Sequence, residues 1–467
     1  MLEGEEERPP PPFGPPQSEA RGRSKETGRK PVLPEKAYDD GMSLVIVHIS
    51  TRLILGGSQE NTVLSCMGQS RLGHCVHLAY GPIFGPEGSH LGTIERFNAR
   101  VREGLEGELA TEVGLHELPH MVREIHPIKD HFCFHRDLKG LFAKLNPDVV
   151  HTHSSKAGIL GRVVAWRFFK KSGKTKPIVV HTIHGPPFMP VEGAVLNRMK
   201  VGLKNWVYTV AERFAAKRCH VIVSVADAMT EQFLARKIGK KEQFVTVRSG
   251  MEVEKSLQPL PNEDRDSMRK ELGFGDDDFV IGTVARLAQH KGHDDILNGL
   301  GEELKANPNW KLLWVGDGWW TDRLMKRVRE MGLEDQVVHT GLVEQAKVAA
   351  MMRAMDVLLH PSYREGLPRT VPQALLCGVP VIASDVDGTP EVCVDVRVDP
   401  EHGTGLLVGA GDPDGIGEAV RWMADRAEDR VLIGARGREM CVGMFSVEAM
   451  IKGLEEVYGR AIKDLKN

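Results

Sequence analysis

Short runs of β-branched and aliphatic residues alternate with longer amphipathic stretches from residue 43 to about residue 409. The runs have the length of strands and the stretches have the length of helices, so the pattern predicts repeated strand–helix–strand units around parallel sheets. The predicted strands of the first half are SLVIVHIS, HCVHLAYG, VGLHELP, PDVVHTHS, PIVVHTIHG, HVIVSVA and FVTVRSG. Those of the second half are FVIGTVARL, WKLLWVGDG, QVVHTG, DVLLHPS, VPVIAS and GLLVG.

The alternation is interrupted once, by the polar and proline-marked stretch EKSLQPLPNEDRDSMRKELGFGDDD. We therefore predict two doubly wound α/β domains, over residues 42–252 and 253–445, followed by a helical segment at 446–467 with no strand after it. Two such domains in tandem place the carboxyl ends of both sheets across a shared cleft, where ligands of these sheets bind. Residues 1–41 are rich in Pro, Gly, Glu and Lys, so we expect a disordered tail.

Composition excludes several classes of protein. The 467 residues are 41% hydrophobic and 27% charged, which is ordinary for a soluble globular chain of two or three domains. The acidic N-terminus has no apolar core of a secretory signal, and no apolar run approaches the roughly 20 residues that span a bilayer. The seven cysteines show no CxxC spacing, so neither a zinc site nor a disulfide framework is indicated. A cytoplasmic protein is expected.

In the first half, glycines and histidines follow predicted strands. Gly56 and Gly57 come after the first strand and open a helix, where backbone amides can approach a phosphate. The spacing is not GxGxxG, and a plain glycine turn is the alternative. His151 and His153 end one strand and His184 ends the next, so each can face a ligand or can be a structural histidine. Alternation puts His151 and His153 on the same side, which leaves open which of them faces the cleft.

In the second half, charged residues follow two predicted strands. Arg286 and Lys291 lie in the loop after FVIGTV, and two cations there suit a diphosphate, although a solvated loop would look the same. Glu365 follows DVLLHPS and is succeeded by Gly366 and Leu367, so a carboxylate for sugar hydroxyls stands beside backbone amides for phosphate oxygens.

Gln373 stands a little over two turns along the same predicted helix as this loop. Its amide can donate to and accept from a ribose diol, but a helix-surface glutamine is equally common. No DxD motif ends a strand, and Asp276 to Asp278 precedes its strand, where a solvated turn is expected.

These motifs resemble the family-four retaining glycosyltransferases of the GT-B fold over nearly all of residues 43–465. The strongest match is HPSYREGLPRTVPQALLCGVPVIASDVDGTPEV, which is similar to that family's signature of two glutamates separated by seven residues. Supporting matches are GGSQE, DVVHTHSSKAGILGR, VVHTIHG, AERFAAKRCHVIVSVADAM, VRSGMEV and VARLAQHKG. The sequence departs from the family at Gln373, where a second glutamate is usual, and at Asp387-Gly388, where two glycines are more usual.

The resemblance implies a role for each site residue. Glu365 would bind hydroxyls of the donor sugar, Arg286 and Lys291 would hold the diphosphate, Gly57 would approach the donor from the other domain, and His153 would lie near the reacting carbon. The departing phosphate would accept the acceptor's proton, with no metal required because the two cations neutralise the diphosphate. The last helix would cross back onto the first domain.

The charge distribution suggests a partner. Residues 156–219 contain thirteen Lys or Arg and two acids, a balance of +11 in a chain of net charge −3. Cations mixed with aromatic residues on the helix within VLNRMKVGLKNWVYTVAERFAAKR suit an anionic membrane surface or a lipid-linked acceptor, whereas no nucleic-acid-binding module is present. A solvated helix face is the alternative.

Three functions fit the sequence. The leading interpretation is transfer of a sugar from a nucleotide-diphosphate sugar to a lipid-linked or polysaccharide acceptor, at a cytoplasmic site or on the inner face of the membrane. A nucleotide-sugar epimerase of the same fold, or a non-catalytic interaction protein of glycosyltransferase type, are the alternatives.

Overall fold

A computed structural model describes residues 43–83, 88–172, 176–185, 188 and 195–466. The first domain contains seven strands: β1 Val45–Ser50, β2 Cys75–Tyr80, β3 Gly114–Glu117, β4 Val149–His153, β5 Ile178–Ile183, β6 Val221–Ser224 and β7 Phe244–Thr246. Its helices are α1 Gly57–Arg71, α2 Leu91–Arg102, α3 Pro127–Phe132, α4 Leu138–Leu145, α5 Ser155–Ser172, α6 Val195–Ala216 and α7 Asp227–Ala235. The predicted tail at 1–41 lies outside the described residues.

The second domain contains six strands: β8 Phe279–Val284, β9 Trp310–Val315, β10 Val337–His339, β11 Val357–His360, β12 Val381–Ser384 and β13 Gly405–Val408. The helices from this part of the chain are α8 Val253–Leu257, α9 Arg265–Glu271, α10 His293–Ala306, α11 Thr321–Met331, α12 Val348–Arg353, α13 Thr370–Leu376, α14 Pro413–Ala424, α15 Ala427–Phe445 and α16 Val447–Lys466.

Each of the predicted strand segments contains a strand of the structure, and the strands form two sheets with parallel pairings. The strand order is β3-β2-β1-β4-β5-β6-β7 in the first sheet and β10-β9-β8-β11-β12-β13 in the second. The prediction of two doubly wound Rossmann-like units is confirmed. The order reverses between β1 and β4 in one sheet and between β8 and β11 in the other, and ligands of open α/β sheets bind at such points.

The last helix returns to the first domain. One buried cluster joins α16 residues Ile451, Leu454 and Val457 to Ile46 of β1 and Val180 of β5. The helix also lies against α1, where a Cβ on Gly68 would collide with Ile451. The resemblance correctly implied this crossing back, which burial of an apolar helix face makes favourable.

Candidate active site

The predicted site residues follow the four strands at the two reversal points. Gly57 follows β1 and His153 ends β4, while Arg286 follows β8 and Glu365 follows β11. Because the strands of each sheet are parallel, their carboxyl ends lie along one edge. The sheet order thus places the candidate residues of each domain at the edge where such folds bind ligands.

Glu365 lies at the centre of the second domain's group. Its carboxylate accepts hydrogen bonds from Lys291 Nζ at 2.5 Å and from His360 Nε2 at 3.1 Å. Burial acts to raise the pKa of Glu365, but the His360 hydrogen bond and the charge of Lys291 outweigh burial and hold the pKa well below its usual range. The site therefore contains a carboxylate that stays ionised and can accept hydrogen bonds from sugar hydroxyls.

The two predicted diphosphate-binding cations differ in their surroundings. Lys291 is partly buried and paired with Glu365, whereas Arg286 is exposed and lies over the ring of Trp319 at 5.6 Å. Burial is the main cause that lowers the pKa of His290. The charges of Lys291 and Arg286 lower this pKa further, and the charge of Glu365 raises it. The loop after β8 and the loop after β11 therefore share one electrostatic environment, and Tyr363 N donates to His290 O at 3.0 Å between them.

The backbone of the Glu365 loop provides the second expected feature. Among the described residues, none accepts a hydrogen bond from the backbone N–H of Gly366 or Leu367. The N–H of Glu365 is already used, because it donates to Asp387 Oδ2 at 2.7 Å. Two amides are thus available to an anion beside the carboxylate. Gln373 is partly exposed on α13, and its predicted contact with ribose stays a prediction.

Asp387 occupies the position where the resemblance leads us to expect glycine. Its φ of 48° is in the left-handed region, which is costly for a residue other than glycine. Its carboxylate joins the Glu365 amide to Gln232 Nε2 of the first domain, at 2.6 Å for the latter bond. These two hydrogen bonds compensate for the backbone conformation and link the two domains at the edge of the site.

The two domains approach each other closely at the predicted glycines. A Cβ on Gly366 would lie 2.5 Å from the carbonyl oxygen of His184, and a Cβ on Gly57 would collide with the side chain of Arg369. Arg369 extends from the start of α13 to Glu60 of α1, with Nη2 and Oε1 2.9 Å apart. Gly57 therefore faces Arg369 of the second domain, and its predicted approach to the donor stays a prediction.

A cavity of about 370 Å³ with a mixed lining of polar and apolar residues lies on the first-domain side of the cleft. Its lining includes Ser58, Ser154, Ser155, Thr182, His184 and Glu212. Ser154, just after β4, has φ 62° and shares a 2.7 Å hydrogen bond with Thr51. Backbone in this region is strained for a serine, and such strain is concentrated at functional sites. The cavity can hold a group that carries several hydroxyls.

Of the histidines at the ends of β4 and β5, some are buried in the core and others line the cavity. His153 is 1% exposed, with Nε2 2.9 Å from His48 Nδ1 and Nδ1 3.0 Å from His184 Nε2. His151 is also buried, and its ring stacks on that of His153 at 4.4 Å. Of the three predicted histidines, His184 lines the cavity, and His181 of β5 lines it as well. The role predicted for His153 at the reacting carbon stays a prediction, and it would act there through or beside His184.

Among the residues the structure describes, His48, His151 and His153 form the one group whose geometry could hold a metal ion, with ligand atoms within 4.8 Å of one another. Every ring nitrogen in the group has a hydrogen-bond partner, since Gln69, Tyr458, Thr182 and His184 complete the set. An ion there would have to displace these bonds. The expectation that the site needs no metal therefore stays a prediction that rests on Arg286 and Lys291.

Sequence reasoning missed two residues that the site uses. His360 ends β11 and contacts Glu365, and Arg369 bridges the domains. The signal for His360 was present, because it ends a strand beside the reversal point as His153 does in the first domain. Nothing in the sequence pattern distinguishes Arg369 from a surface arginine at a helix start.

Two family models match the chain. One described as Glycosyl transferases group 1 matches residues 264–440, and one described as Glycosyltransferase Family 4 matches residues 61–255. The chain is 27% identical over 295 residues to the GDP-mannose-dependent monoacylated alpha-(1-6)-phosphatidylinositol monomannoside mannosyltransferase of Corynebacterium glutamicum, covering 62% of this chain and 71% of the relative. It is 28% identical over 346 residues to the UDP-Gal:alpha-D-GlcNAc-diphosphoundecaprenol alpha-1,3-galactosyltransferase of Escherichia coli, covering 73% of this chain and 82% of the relative.

Solved structures show the same fold. HepE of Anabaena in complex with UDP and glucose aligns with a TM-score of 0.68 at 16% identity, over 89% of this chain and 99% of that chain. A sucrose-phosphate synthase from Thermosynechococcus elongatus aligns with a TM-score of 0.67 at 18% identity, over 90% of this chain and 100% of that chain.

The fold and the site define an α/β enzyme of GT-B architecture, with two Rossmann-like domains that face each other across a cleft. The chain belongs to the group 1 glycosyltransferases, and it is a transferase enzyme.

Within the described part of the chain, no helix combines the length and the apolar character needed to cross a membrane.

Proposed function

We propose that this glycosyltransferase moves a sugar from a nucleotide-diphosphate sugar to a hydroxyl of a lipid-linked or polysaccharide acceptor, with retention of the anomeric configuration. The observation that carries the proposal is the group formed by Arg286, Lys291 and Glu365 at the reversal point of the second sheet. Two cations beside an ionised carboxylate match the two parts of such a donor, a diphosphate and a hydroxyl-rich ring.

Each part of the site has a task in the reaction. Lys291 and Arg286 stabilise the negative charge that develops on the departing nucleoside diphosphate, and the Gly366 and Leu367 amides add donors to its oxygens. Glu365 orients the sugar ring through its hydroxyls. The acceptor enters from the cavity beside His184 and approaches the same face that the phosphate leaves, so the phosphate oxygen takes the proton of the attacking hydroxyl.

The candidate site does not have the arrangement of a retaining glycosidase. The carboxylate that lines the cavity, Glu212, is paired with Arg162 at 2.6 Å, and Glu365 is paired with Lys291. A glycosidase needs one carboxyl as an acid with a raised pKa and one as a nucleophile, whereas the pKa of Glu365 is lowered. This supports a reaction in which the protein positions the substrates and stabilises charge.

A thermal-shift screen against uridine and guanosine diphosphate sugars tests donor binding, because a ligand that binds the folded state raises its melting temperature. Incubation of the best donor with candidate acceptors, followed by NMR of the products, reports transfer and anomeric configuration. A new epimer of the donor without transfer would favour the epimerase, and no binding of any nucleotide would favour the interaction protein.

A second observation supports an anionic membrane surface as the place of action. Exposed apolar side chains on α6 recur at helical spacing and form one face: Met199, Leu203, Trp206, Val210 and Phe214. The cations Lys200, Lys204, Arg213, Lys217 and Arg218 lie along and just beyond the same helix. An apolar face with Trp and neighbouring cations suits insertion at the headgroups of anionic lipids. Flotation with vesicles containing phosphatidylglycerol tests this, and absence from the lipid fraction would exclude it.

A further inference from the structure

A continuous chain of side chains runs from the C-terminal helix to the acceptor cavity. Gln69 Nε2 of α1 donates to Glu455 Oε1 of α16 at 3.4 Å, and Gln69 Oε1 lies 2.8 Å from His48 Nε2. His48 Nδ1 is 2.9 Å from His153 Nε2, and His153 Nδ1 is 3.0 Å from His184 Nε2. Glu455, Gln69, His48 and His153 are buried, and His184 lines the cavity.

The imidazoles of this chain are neutral at physiological pH. Burial lowers the pKa of His48 to about 4, although its bond to Gln69 opposes the change. Burial and then the neighbouring His151 lower the pKa of His153 well below its usual value. Burial together with the charge of Arg369 lowers the pKa of His184 to about 3. A neutral imidazole has one N–H and one lone pair, so each ring in the chain has a definite direction.

The carboxylate at one end fixes that direction. Glu455 also accepts from His74 Nε2 at 3.0 Å, and His74 Nδ1 accepts from the N–H of Leu44 at 3.2 Å. A carboxylate only accepts, so the Gln69 amide must turn its NH₂ towards Glu455 and its oxygen towards His48. The reverse orientation would place the amide oxygen against a carboxylate oxygen with no hydrogen between them.

Each subsequent proton position follows from the previous one. The Gln69 oxygen requires a proton on His48 Nε2, which leaves a lone pair on His48 Nδ1. That lone pair requires a proton on His153 Nε2, and the lone pair on His153 Nδ1 requires a proton on His184 Nε2. Because the His184 ring is neutral and its proton is on Nε2, the remaining nitrogen, Nδ1, carries a lone pair. This nitrogen has no hydrogen-bond partner among the described residues.

We infer that Glu455 and Gln69 are positioning residues that fix the tautomer of His184 through His48 and His153, so that His184 Nδ1 accepts a hydrogen bond from a hydroxyl of the acceptor substrate. This inference rests on the proposed transfer reaction and adds which chemical groups of the acceptor the site can bind. The hydroxyl bound by His184 is a neighbour of the attacking one, whose own proton goes to the departing phosphate. A lone pair at this point favours a group that carries a hydrogen and disfavours a carboxylate or phosphate oxygen.

A second link from α16 to the cavity lacks this direction. Tyr458 OH lies 2.6 Å from His151 Nδ1, and His151 Nε2 lies 2.7 Å from Thr182 Oγ1, which also lines the cavity. The groups beside the two His151 nitrogens are hydroxyls, which can donate or accept, whereas the other chain ends in a carboxylate, which only accepts. The chain that ends in Glu455 is the one that can transmit a defined orientation.

Long-range ¹H–¹⁵N spectra of the full-length chain labelled with ¹⁵N-histidine distinguish the two neutral tautomers. The signals are assigned with His48→Asn, His153→Asn and His184→Asn. We expect all three rings to carry the proton on Nε2 at pH 7.5. A His184 ring with its proton on Nδ1, or with mixed tautomers, would overturn the inference without bearing on transferase activity.

Gln69→Leu removes the directing amide, and Asn61→Leu is its matched control. Asn61 is a buried amide on the same face of α1, where its Nδ2 contacts Met450 of α16 at 3.1 Å, away from the histidines. We expect mixed His184 tautomers in Gln69→Leu and the original tautomer in Asn61→Leu. If Gln69→Leu does not fold, Glu455→Gln serves instead, because an amide at 455 allows Gln69 to turn either way. An unchanged His184 tautomer in the folded variant refutes the inference.

Kinetics separate the inference from the proposed function. We expect Gln69→Leu to raise the acceptor KM about tenfold, because His184 would lose a defined hydrogen bond to the acceptor. The donor KM should not change, and Asn61→Leu should have kinetic constants near those of the wild type. Equal effects in both variants would show a merely structural role for Gln69. Absence of transfer by the wild-type chain, together with the expected tautomers, would instead count against the proposed function.

Discussion

Lys291 donates a hydrogen bond to Glu365 across 2.5 Å. Lys291 is predicted to bind the diphosphate of the donor and Glu365 its sugar hydroxyls, yet the two side chains are paired with each other. Side-chain exposures of 18% and 15% place the pair partly out of water. A nucleotide sugar would have to replace this ion pair with a Lys291–phosphate bond and a Glu365–hydroxyl bond. The two residues are therefore coupled, and changes at one alter what the other can bind.

Glu365→Gln separates the contribution of the sugar to donor affinity from that of the diphosphate. We expect the variant to bind the nucleoside diphosphate as tightly as wild type or more tightly, because Lys291 no longer has an anionic competitor. It should lose about 10- to 100-fold of its affinity for the nucleotide sugar, since a hydrogen bond to a charged group contributes about 1.5–3 kcal/mol. Calorimetry with both ligands measures the difference.

Glu302→Gln is the control for that variant, because Glu302 pairs with Lys305 at 2.9 Å on an exposed helix face. An equal loss of affinity for the free diphosphate in Glu365→Gln would contradict the assignment of Glu365 to the sugar.

Arg286 can be tested through the tryptophan beneath it. A diphosphate bound by Arg286 should change the environment of Trp319 and quench its fluorescence. We expect Arg286→Ala to weaken nucleotide binding by about 10- to 100-fold and Arg286→Lys to restore only part of it, because lysine cannot bind two oxygens in a planar fork. Titration of tryptophan fluorescence gives both affinities.

The chain offers a close control for this experiment. Arg323 lies over the ring of Trp320 at 4.3 Å and pairs with Asp294 at 2.9 Å. Arg323→Ala should leave nucleotide affinity unchanged. If it weakens binding as much as Arg286→Ala does, the effect is general to charge near this loop and the specific role of Arg286 is wrong.

The sequence predicted the sheets well because a strand that is buried on both faces leaves a short run rich in apolar residues, such as VIVHIS at Val45–Ser50. It also placed Arg286, Lys291 and Glu365 correctly at one sheet edge, because parallel strands bring their carboxyl ends together. The sequence could not predict distances between residues that are far apart in the chain. The Lys291–Glu365 pair and the Asp387–Gln232 bond depend on how loops and domains pack.

The histidines show the same limit more sharply. Alternation put His151 and His153 on one side of β4, and the structure shows their rings stacked. The burial of His153 depended on His48, from a neighbouring strand, and on Gln69, from a helix, since the hydrogen bonds of these residues occupy the space on one side of His153. The sequence indicated that His151, His153 and His184 end predicted strands, but it gave no signal that their rings lie near those of His48 and His181.

The buried histidines predict a strong dependence of stability on pH. Burial is the main cause that lowers the folded-state pKa of His48, His151, His153, His181 and His184 below the usual 6.5. Below pH 6.5 the unfolded chain takes up protons that the folded chain does not, so the free energy of unfolding falls as pH falls. Each such histidine contributes up to about 1.36 kcal/mol per pH unit.

Urea unfolding between pH 7 and pH 5 measures this slope. We expect His48→Gln to reduce the slope by about one proton, with His402→Gln, at an exposed site, as the control. A free energy of unfolding that stays constant from pH 7 to pH 5 would contradict the burial of these rings as neutral groups.

The pair Arg162–Glu212 should be costly to break and easy to replace. Its side chains are 0% and 1% exposed and 2.6 Å apart, and Arg162 Nη1 has no hydrogen-bond partner among the described residues. Glu212→Ala leaves an unpaired buried charge, so we expect a loss of about 3–5 kcal/mol. The double change Arg162→Met with Glu212→Leu should recover most of it, because removing both charges removes the desolvation cost.

Calorimetric melting temperatures compare these variants. Glu303→Ala, which breaks the more exposed pair with Arg421 at 2.5 Å, should lower the melting temperature far less than Glu212→Ala. A double variant as unstable as Glu212→Ala would show that the pair, and not merely its neutralisation, is required.

The exposed face of α6 is the basis of the membrane proposal, and two of its residues test it. Leu203 and Trp206 are each 63% exposed and lie one turn apart on that face. Leu203→Ser with Trp206→Ser should reduce binding to vesicles containing phosphatidylglycerol by about tenfold or more, because burial of each side chain contributes roughly 1.5–3 kcal/mol. Salt at 0.5 M should weaken wild-type binding, since it screens the cations beside the face.

Val431→Ser with Leu432→Ser removes an equally exposed apolar pair from α15 and should leave flotation unchanged. Equal loss in both double variants would show that binding follows general surface hydrophobicity, and α6 would then have no special role.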